Sequence, residues 1–253
     1  VDGRDLGRTF SSKLSLVGDI QYSLKKLNPL LQKIAEQKRS EYEKAISKEK
    51  ETFSKKQMLL QNRSLQFEKQ DVLHPIVAAK HLALAIGTVP IVDEAIATAT
   101  YLRQFLNNHS VKQYIFIRGG ALGWGMPAAV GYSIGLGKKP VTAIVGDGAA
   151  LYSPQAMWTA AKENLPVTFI IINNQEYNVL KKYMRTQSHY ISNNKQNYIG
   201  MELNKPKIDY LALATSMGLD SQTLTTGAEI LENIPKLIAL GKPSLVEIKV
   251  APE

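Results

Sequence analysis

The chain has 253 residues, 44% of them hydrophobic, and a formal net charge of +9 at neutral pH, so it can bury a substantial core. Zero cysteines exclude disulfides and thiolate metal sites, and no apolar run approaches bilayer length. The basic excess does not read as a nucleic-acid surface: residues 33–70 carry ten basic and six acidic groups, with Arg39 and Glu43, or Glu51 and Lys55, at the i,i+4 spacing of a solvated helix face.

In chain order, Leu16-Val17 reads as a short strand, Gly18-Asp19 as a turn, and Ile20 to Leu31 as an amphipathic helix. A polar, charged helical stretch follows to about Gln70. From Pro75 the pattern alternates: a helix to Ile86, a strand near Ile91-Val92, a helix from Ala95 to Leu106, and a strand over Tyr114 to Ile117. A glycine-rich turn then leads into a helix near Pro127. The strands Val141 to Val145 and Val167 to Ile172, β-branched and apolar enough to be buried on both faces, flank a crossover helix from Ser153 to Glu163. After Tyr177 come a helix, a loop through Gly200, helices over 208–217 and 228–240, and a strand over 245–250. This alternation predicts an α/β fold, a doubly wound, mostly parallel sheet with helices on both faces.

Gly146-Asp147-Gly148 closes one of the two buried strands, and Asn173-Asn174 closes the other after 24 intervening residues. A strand, crossover helix and parallel strand form a right-handed unit, so Asp147 and Asn174 meet at one sheet edge. A carboxylate beside an amide oxygen is a hard-oxygen pair. It is too small a set to cage a metal, but it suits Mg2+ that completes its octahedron with phosphate oxygens and water. Gly146 and Gly148 let backbone approach a ligand, and the amides of Ala149 and Ala150 open a helix whose positive end favours an anion by ~0.3–1 kcal/mol. Neither GxxxxGK[ST] nor GxGxxG is present, which excludes a P-loop and a nicotinamide fingerprint.

The GDG element, its spacing and the following NN resemble the signature of thiamine diphosphate-dependent enzymes. The stretch from Gly119 through Tyr183 is similar to the diphosphate-binding domain of benzoylformate decarboxylase and of the acetolactate synthase group, and the resemblance covers about 72–250. It implies thiamine diphosphate and Mg2+ as cofactors, with Asp147, the Asn174 side chain and the Glu176 backbone carbonyl as metal ligands. It also implies that Leu122, ahead of Gly123, props the cofactor into a bent shape, that Tyr177, Glu94 and Ile96 lie near the cofactor, and that Tyr183 and Trp124 adjoin the substrate pocket. The chain departs from the family at Ala149, where a hydroxyl residue is common, at Ala95-Ile96, where Ser or Thr is common, and at Glu176, where a small or neutral residue is common. The family's cofactor-activating glutamate, which is not Glu94, belongs to a separate pyrimidine-binding domain normally supplied by another subunit. The resemblance therefore predicts the C-terminal portion of a longer, homo-oligomeric cytoplasmic enzyme acting on a 2-oxo acid, inactive as this piece alone. In that reading 1–31 ends a middle domain, 32–71 is a helical linker and 72–253 binds the cofactor. A non-catalytic cofactor-binding paralogue or regulatory module is the alternative.

Other residues have plainer readings. His74, His81, His109 and His189 lack metal-like spacing. His81 reads as packed or capping and His109 as solvated, while His189 is a candidate to approach substrate from the loop after Tyr183. Trp158 reads as core, and Lys181, Lys182 and Arg185 as surface charge.

Overall fold

The computed structural model describes residues 6–106, 113–190 and 197–252. The chain divides into two units, Val1–Leu59 and Leu60–Glu253. In the first, Asp19 caps helix α1 (Ile20–Gln37) by accepting the Tyr22 N–H at 2.7 Å. No α1 residue is buried, although Ile20, Leu24, Leu27, Leu31 and Ile34 recur at helical spacing. Leu16 and Val17 are in no strand; they lie exposed and unpaired beside Gly18. Helix α2 (Arg39–Phe67) follows after one residue, and its exposed Arg39–Glu43 and Glu51–Lys55 pairs lie at 2.9 and 2.6 Å. Helix α1 thus runs through the expected boundary at residue 31, and α2 runs through the division at residue 59.

The second unit carries the sheet. Its elements are α3 (Pro75–Ile86), β1 (Ile91–Glu94), α4 (Ala99–Phe105), β2 (Tyr114–Phe116), α5 (Gly125–Gly135), β3 (Val141–Gly146), α6 (Asp147–Ala150), α7 (Gln155–Lys162), β4 (Val167–Asn173), α8 (Asn178–Arg185), α9 (Tyr210–Ser216), β5 (Asp220–Leu224), α10 (Gly227–Ala239) and β6 (Ser244–Lys249). The six strands pair in parallel in the order β2-β1-β3-β4-β6-β5. Alternate side chains feed two cores. Ile144, Ile170, Ile172 and Val246 pack with α3, α4 and α10, while Val141, Ala143, Val145, Phe169 and Ile171 pack with α5, α7 and α9. Both faces of β3 and β4 are therefore covered, as a parallel sheet demands.

Local chemistry moves two boundaries. The helix expected from Ala95 begins at Ala99, because the Asp93 carboxylate takes the Ala95 N–H at 2.8 Å and Ile96 adopts φ 46°. Strand β5 had no counterpart in the sequence reading; Asp-Ser-Gln-Thr-Leu is a polar edge segment paired to β6 on one side only.

Candidate functional site

Strand β1 leads to β2 on one side of the sheet, and β3 lies on the other, so the winding reverses between β1 and β3. Open parallel sheets form a crevice beyond the carboxyl ends of strands at such a reversal. A cavity of about 300 Å3 lies there, lined by residues 95–98 after β1, by Gly120 and Leu122, by Gly146 to Ala149 after β3, by Ile172, Asn174 and Glu176 at β4, and by Tyr177 to Leu180 at the start of α8.

Asp147 is the polar centre of this cavity. Its side chain is buried, with one oxygen accepting the Gly148 N–H at 2.8 Å and the other the Gln175 N–H at 2.7 Å. Burial pushes the carboxyl up to about 6, partly offset by the amides of Gly148, Gln175, Asn174 and Glu176. The turn after β4 is built to face it. Gln175 sits at φ 61°, and its N–H is shared with the Asn173 side-chain Oδ1 at 3.0 Å, while Asn174 Oδ1 accepts the Glu176 N–H at 3.1 Å. Tyr177 N–H to Met201 O and Leu203 N–H to Gln175 O, both 2.8 Å, hold 175–177 against 201–203. Those flanking bonds leave the Glu176 carbonyl outside the pairing. From behind, the Tyr210 hydroxyl donates to the Asp147 carbonyl at 2.9 Å, and burial raises that phenol well above its usual range.

The expected residues divide accordingly. Asp147, Asn174 and Glu176 share the cavity, as do Gly146, Gly148, Ala149, Leu122, Tyr177 and Ile96. Gly148 is required there: a Cβ would meet the Tyr177 ring at 2.4 Å. Ala150 lies beneath the cavity in the core, and α6 is one four-residue turn rather than a helix able to direct a dipole. Glu94 does not line the cavity. The residue is 1% exposed, and its carboxylate accepts the N–H groups of Gly123, Trp124 and Gly125 at 2.7, 3.2 and 2.7 Å. Gly123 belongs to that turn at φ 94° and is not on the wall. Trp124 packs against the α5 side of the core, and Tyr183 points outward at 60% exposure, so neither borders the cavity.

Several plainer readings also change. Lys181 is no surface charge: it is 7% exposed and forms a close ion pair with Glu176, which ties α8 to the site turn. Trp158 is half exposed, under the Lys162 ammonium. His81 is buried between the Val77 carbonyl at 2.9 Å and Glu68 at 3.2 Å, and His74 caps α3 through the Ile76 N–H. His189 lies tilted against the Tyr190 ring and does not line the cavity, and His109 lies outside the described residues. The role of the Glu94 carboxylate and the burial of the Lys181 ammonium escaped sequence reasoning because their partners are backbone groups or a side chain on a turn. For Glu94 the available signal was a charged residue ending an apolar strand.

One carboxylate, one amide oxygen and one peptide carbonyl fit a divalent cation that takes its remaining oxygens from a phosphorylated ligand. Among the described residues no three His, Cys, Asp or Glu side chains gather into a metal site, so such a cation needs ligands from outside the side-chain set. Among those residues no helix is long and apolar enough to cross a membrane.

Residues 95–248 match the family described as thiamine pyrophosphate enzyme, C-terminal TPP binding domain. The chain is 28% identical over 160 residues to the putative acetolactate synthase large subunit IlvX of Mycobacterium tuberculosis, covering 63% of this chain and 31% of that protein. It is 30% identical over 166 residues to benzoylformate decarboxylase of Pseudomonas aeruginosa, covering 66% and 30%. The structure of a thiamine diphosphate-dependent 4-hydroxybenzoylformate decarboxylase from Rhodococcus jostii RHA1 superposes with a TM-score of 0.65 at 26% identity, over 73% of this chain and 34% of that one. The chain spans about a third of the length of these relatives.

Proposed function

Because this chain belongs to the thiamine pyrophosphate enzymes, through their C-terminal cofactor-binding domain, we propose that the cavity between β1 and β3 holds thiamine diphosphate through Mg2+. The observation that carries the reading is Asp147, a buried carboxylate pushed up to about 6 at a cavity it shares with Asn174 and Glu176. Asp147, Asn174 Oδ1 and the Glu176 carbonyl would bind the cation, and the cation would bind the diphosphate. Leu122 would support the ring end, and Ile96, Val179 and Leu180 would keep that end dry. When bound, thiamine diphosphate supplies an electron sink for a carbonyl substrate.

The whole protein then acts as a 2-oxo-acid decarboxylase or carboligase of the benzoylformate decarboxylase or acetolactate synthase kind. It works as a homo-oligomer whose site lies between subunits, and this chain is inactive without the pyrimidine-binding domain. Residues 1–31 would end a middle domain, 32–71 would link it to 72–253, and a cytoplasmic location goes with the same reading. Calorimetric titration with thiamine diphosphate tests the cofactor: Mg2+-dependent binding is expected, and equal binding in a chelator refutes the metal role. Release of carbon dioxide from 2-oxo acids by the longer protein tests the reaction.

Ala149 favours a second reading, a cofactor-binding module without catalysis, since it lines the cavity with no hydroxyl to offer the diphosphate. Binding without any turnover by the longer protein would decide for it.

A further inference from the structure

We propose that Glu94 is a positioning residue that shapes the turn carrying Leu122 and thereby governs the grip on the ring end of thiamine diphosphate without touching it. The proposal rests on the cofactor reading above.

Three consecutive amides, those of Gly123, Trp124 and Gly125, converge on this one carboxylate at 2.7, 3.2 and 2.7 Å. A charge on a residue 1% exposed is expensive to bury unless it is hydrogen-bonded, and here three backbone donors compensate it. The surroundings are fitted to the arrangement. A Cβ on Gly125 would stand 2.8 Å from Glu94 Oε2 and 2.9 Å from Glu94 Cβ, so only glycine admits the carboxylate. Gly123, at φ 94°, leaves 2.6 Å between its own missing Cβ and that of Tyr152, and its carbonyl accepts the Ser153 hydroxyl at 2.6 Å. The turn is thus pinned from two sides, and Glu94 is its charged anchor.

That anchor joins two walls of one cavity. Leu122 directly precedes the pinned amides, and Ala95 and Ile96 directly follow Glu94; all three line the cavity. Asp147 and Asn174, which would hold the metal and diphosphate, stand just past β3 and β4, and their side-chain oxygens accept the amides of Gly148, Gln175 and Glu176 rather than those of this turn. Loss of the Glu94 carboxylate should therefore weaken the hold on the ring and spare the hold on the diphosphate.

Glu94→Gln replaces one acceptor by an NH2 that faces an N–H. Wild type and variant are titrated with thiamine diphosphate and, separately, with inorganic diphosphate, both with Mg2+, and amide hydrogen exchange is measured without ligand. We expect thiamine diphosphate affinity to fall about tenfold or more while inorganic diphosphate stays within about twofold. Exchange at 123–125 should accelerate by about a hundredfold with β3 unchanged. Glu94→Asp, which keeps the charge on a shorter arm, should recover part of both. Equal weakening of the two ligands, unchanged thiamine diphosphate affinity, or unchanged exchange at 123–125 would each overturn the proposal. A wild-type chain that binds neither ligand would instead overturn the cofactor reading and the role with it, whatever the exchange shows.

Discussion

Replacing Asp147 with Asn should stabilise the metal-free protein at neutral pH and not at acid pH. Folding raises the Asp147 carboxyl from the ordinary 3.8 to about 6, chiefly by burial. Between those values the native state holds more of the proton than the unfolded chain does, so stability declines as pH rises through that window. The full penalty, reached above pH 6, is about 3 kcal/mol at ~1.4 kcal/mol per pH unit. Asn carries no charge, but its NH2 must face one of the two N–H groups that the carboxylate accepts, a pH-independent cost of about 1 kcal/mol. Urea denaturation in a chelator should therefore put Asp147→Asn behind by ~1 kcal/mol at pH 3.5, shift the balance toward it between about pH 4 and pH 6, and leave it ahead by as much as ~2 kcal/mol at pH 7.5. Adding Mg2+ with thiamine diphosphate should reverse the order at pH 7.5, because only the wild type gains the linkage term of a tightly held ligand. A gap independent of pH, or a reversal at pH 7.5 that needs no metal, would refute the reasoning.

Other perturbations probe the neighbours. Lys181→Met leaves the part-buried Glu176 carboxylate without its cation and should cost about 2 kcal/mol in urea denaturation, with Glu176→Gln added to it recovering more than half. Gly148→Ala drives a methyl to 2.4 Å from the Tyr177 ring; it should cost about 1–3 kcal/mol, less the ~1 kcal/mol that Ala gains over Gly in a helix, and should weaken calorimetric binding of thiamine diphosphate. Ala149→Ser adds a hydroxyl on the cavity wall and should tighten thiamine diphosphate about tenfold, a gain absent with thiamine itself. Thr226→Ala breaks the capping box with Glu229 at the start of α10 and should lower stability by about 1 kcal/mol without changing cofactor affinity.

The central strands were legible because β3 and β4 are apolar at nearly every position, which only a sheet covered on both faces rewards. Their ends were legible too, since Asp147 and Asn174 follow from register once the crossover is right-handed. Edges and turns were harder. Strand β5 hides in a polar sequence because an edge strand draws its stability from one neighbour's backbone, and Leu16-Val17 shows the converse: β-favouring residues with no neighbour make no strand. The first turn after β1 escaped because its geometry comes from the Asp93 side chain capturing the Ala95 amide, which holds Ile96 at a φ that its β-branched side chain disfavours. Tyr183 and Trp124 were placed by resemblance alone, and helix phase on α8 and packing under α5 turn them away from the cavity.

Two buried carboxylates end adjacent strands at the same sheet edge, and their surroundings assign them opposite duties. Glu94 is walled off from the cavity and accepts three amides of the 123–125 turn, so its charge serves that turn and does not face the cavity. Asp147 opens onto the cavity, which Asn174 and Glu176 also line. On the proposed reading a cation would therefore be held just past β3 and β4, and the β1 side would be left to shape the apolar wall. That separation is why the metal-binding and ring-binding halves of the site should respond independently to mutation: Asp147→Asn should weaken both inorganic diphosphate and thiamine diphosphate, whereas Glu94→Gln should weaken the second alone.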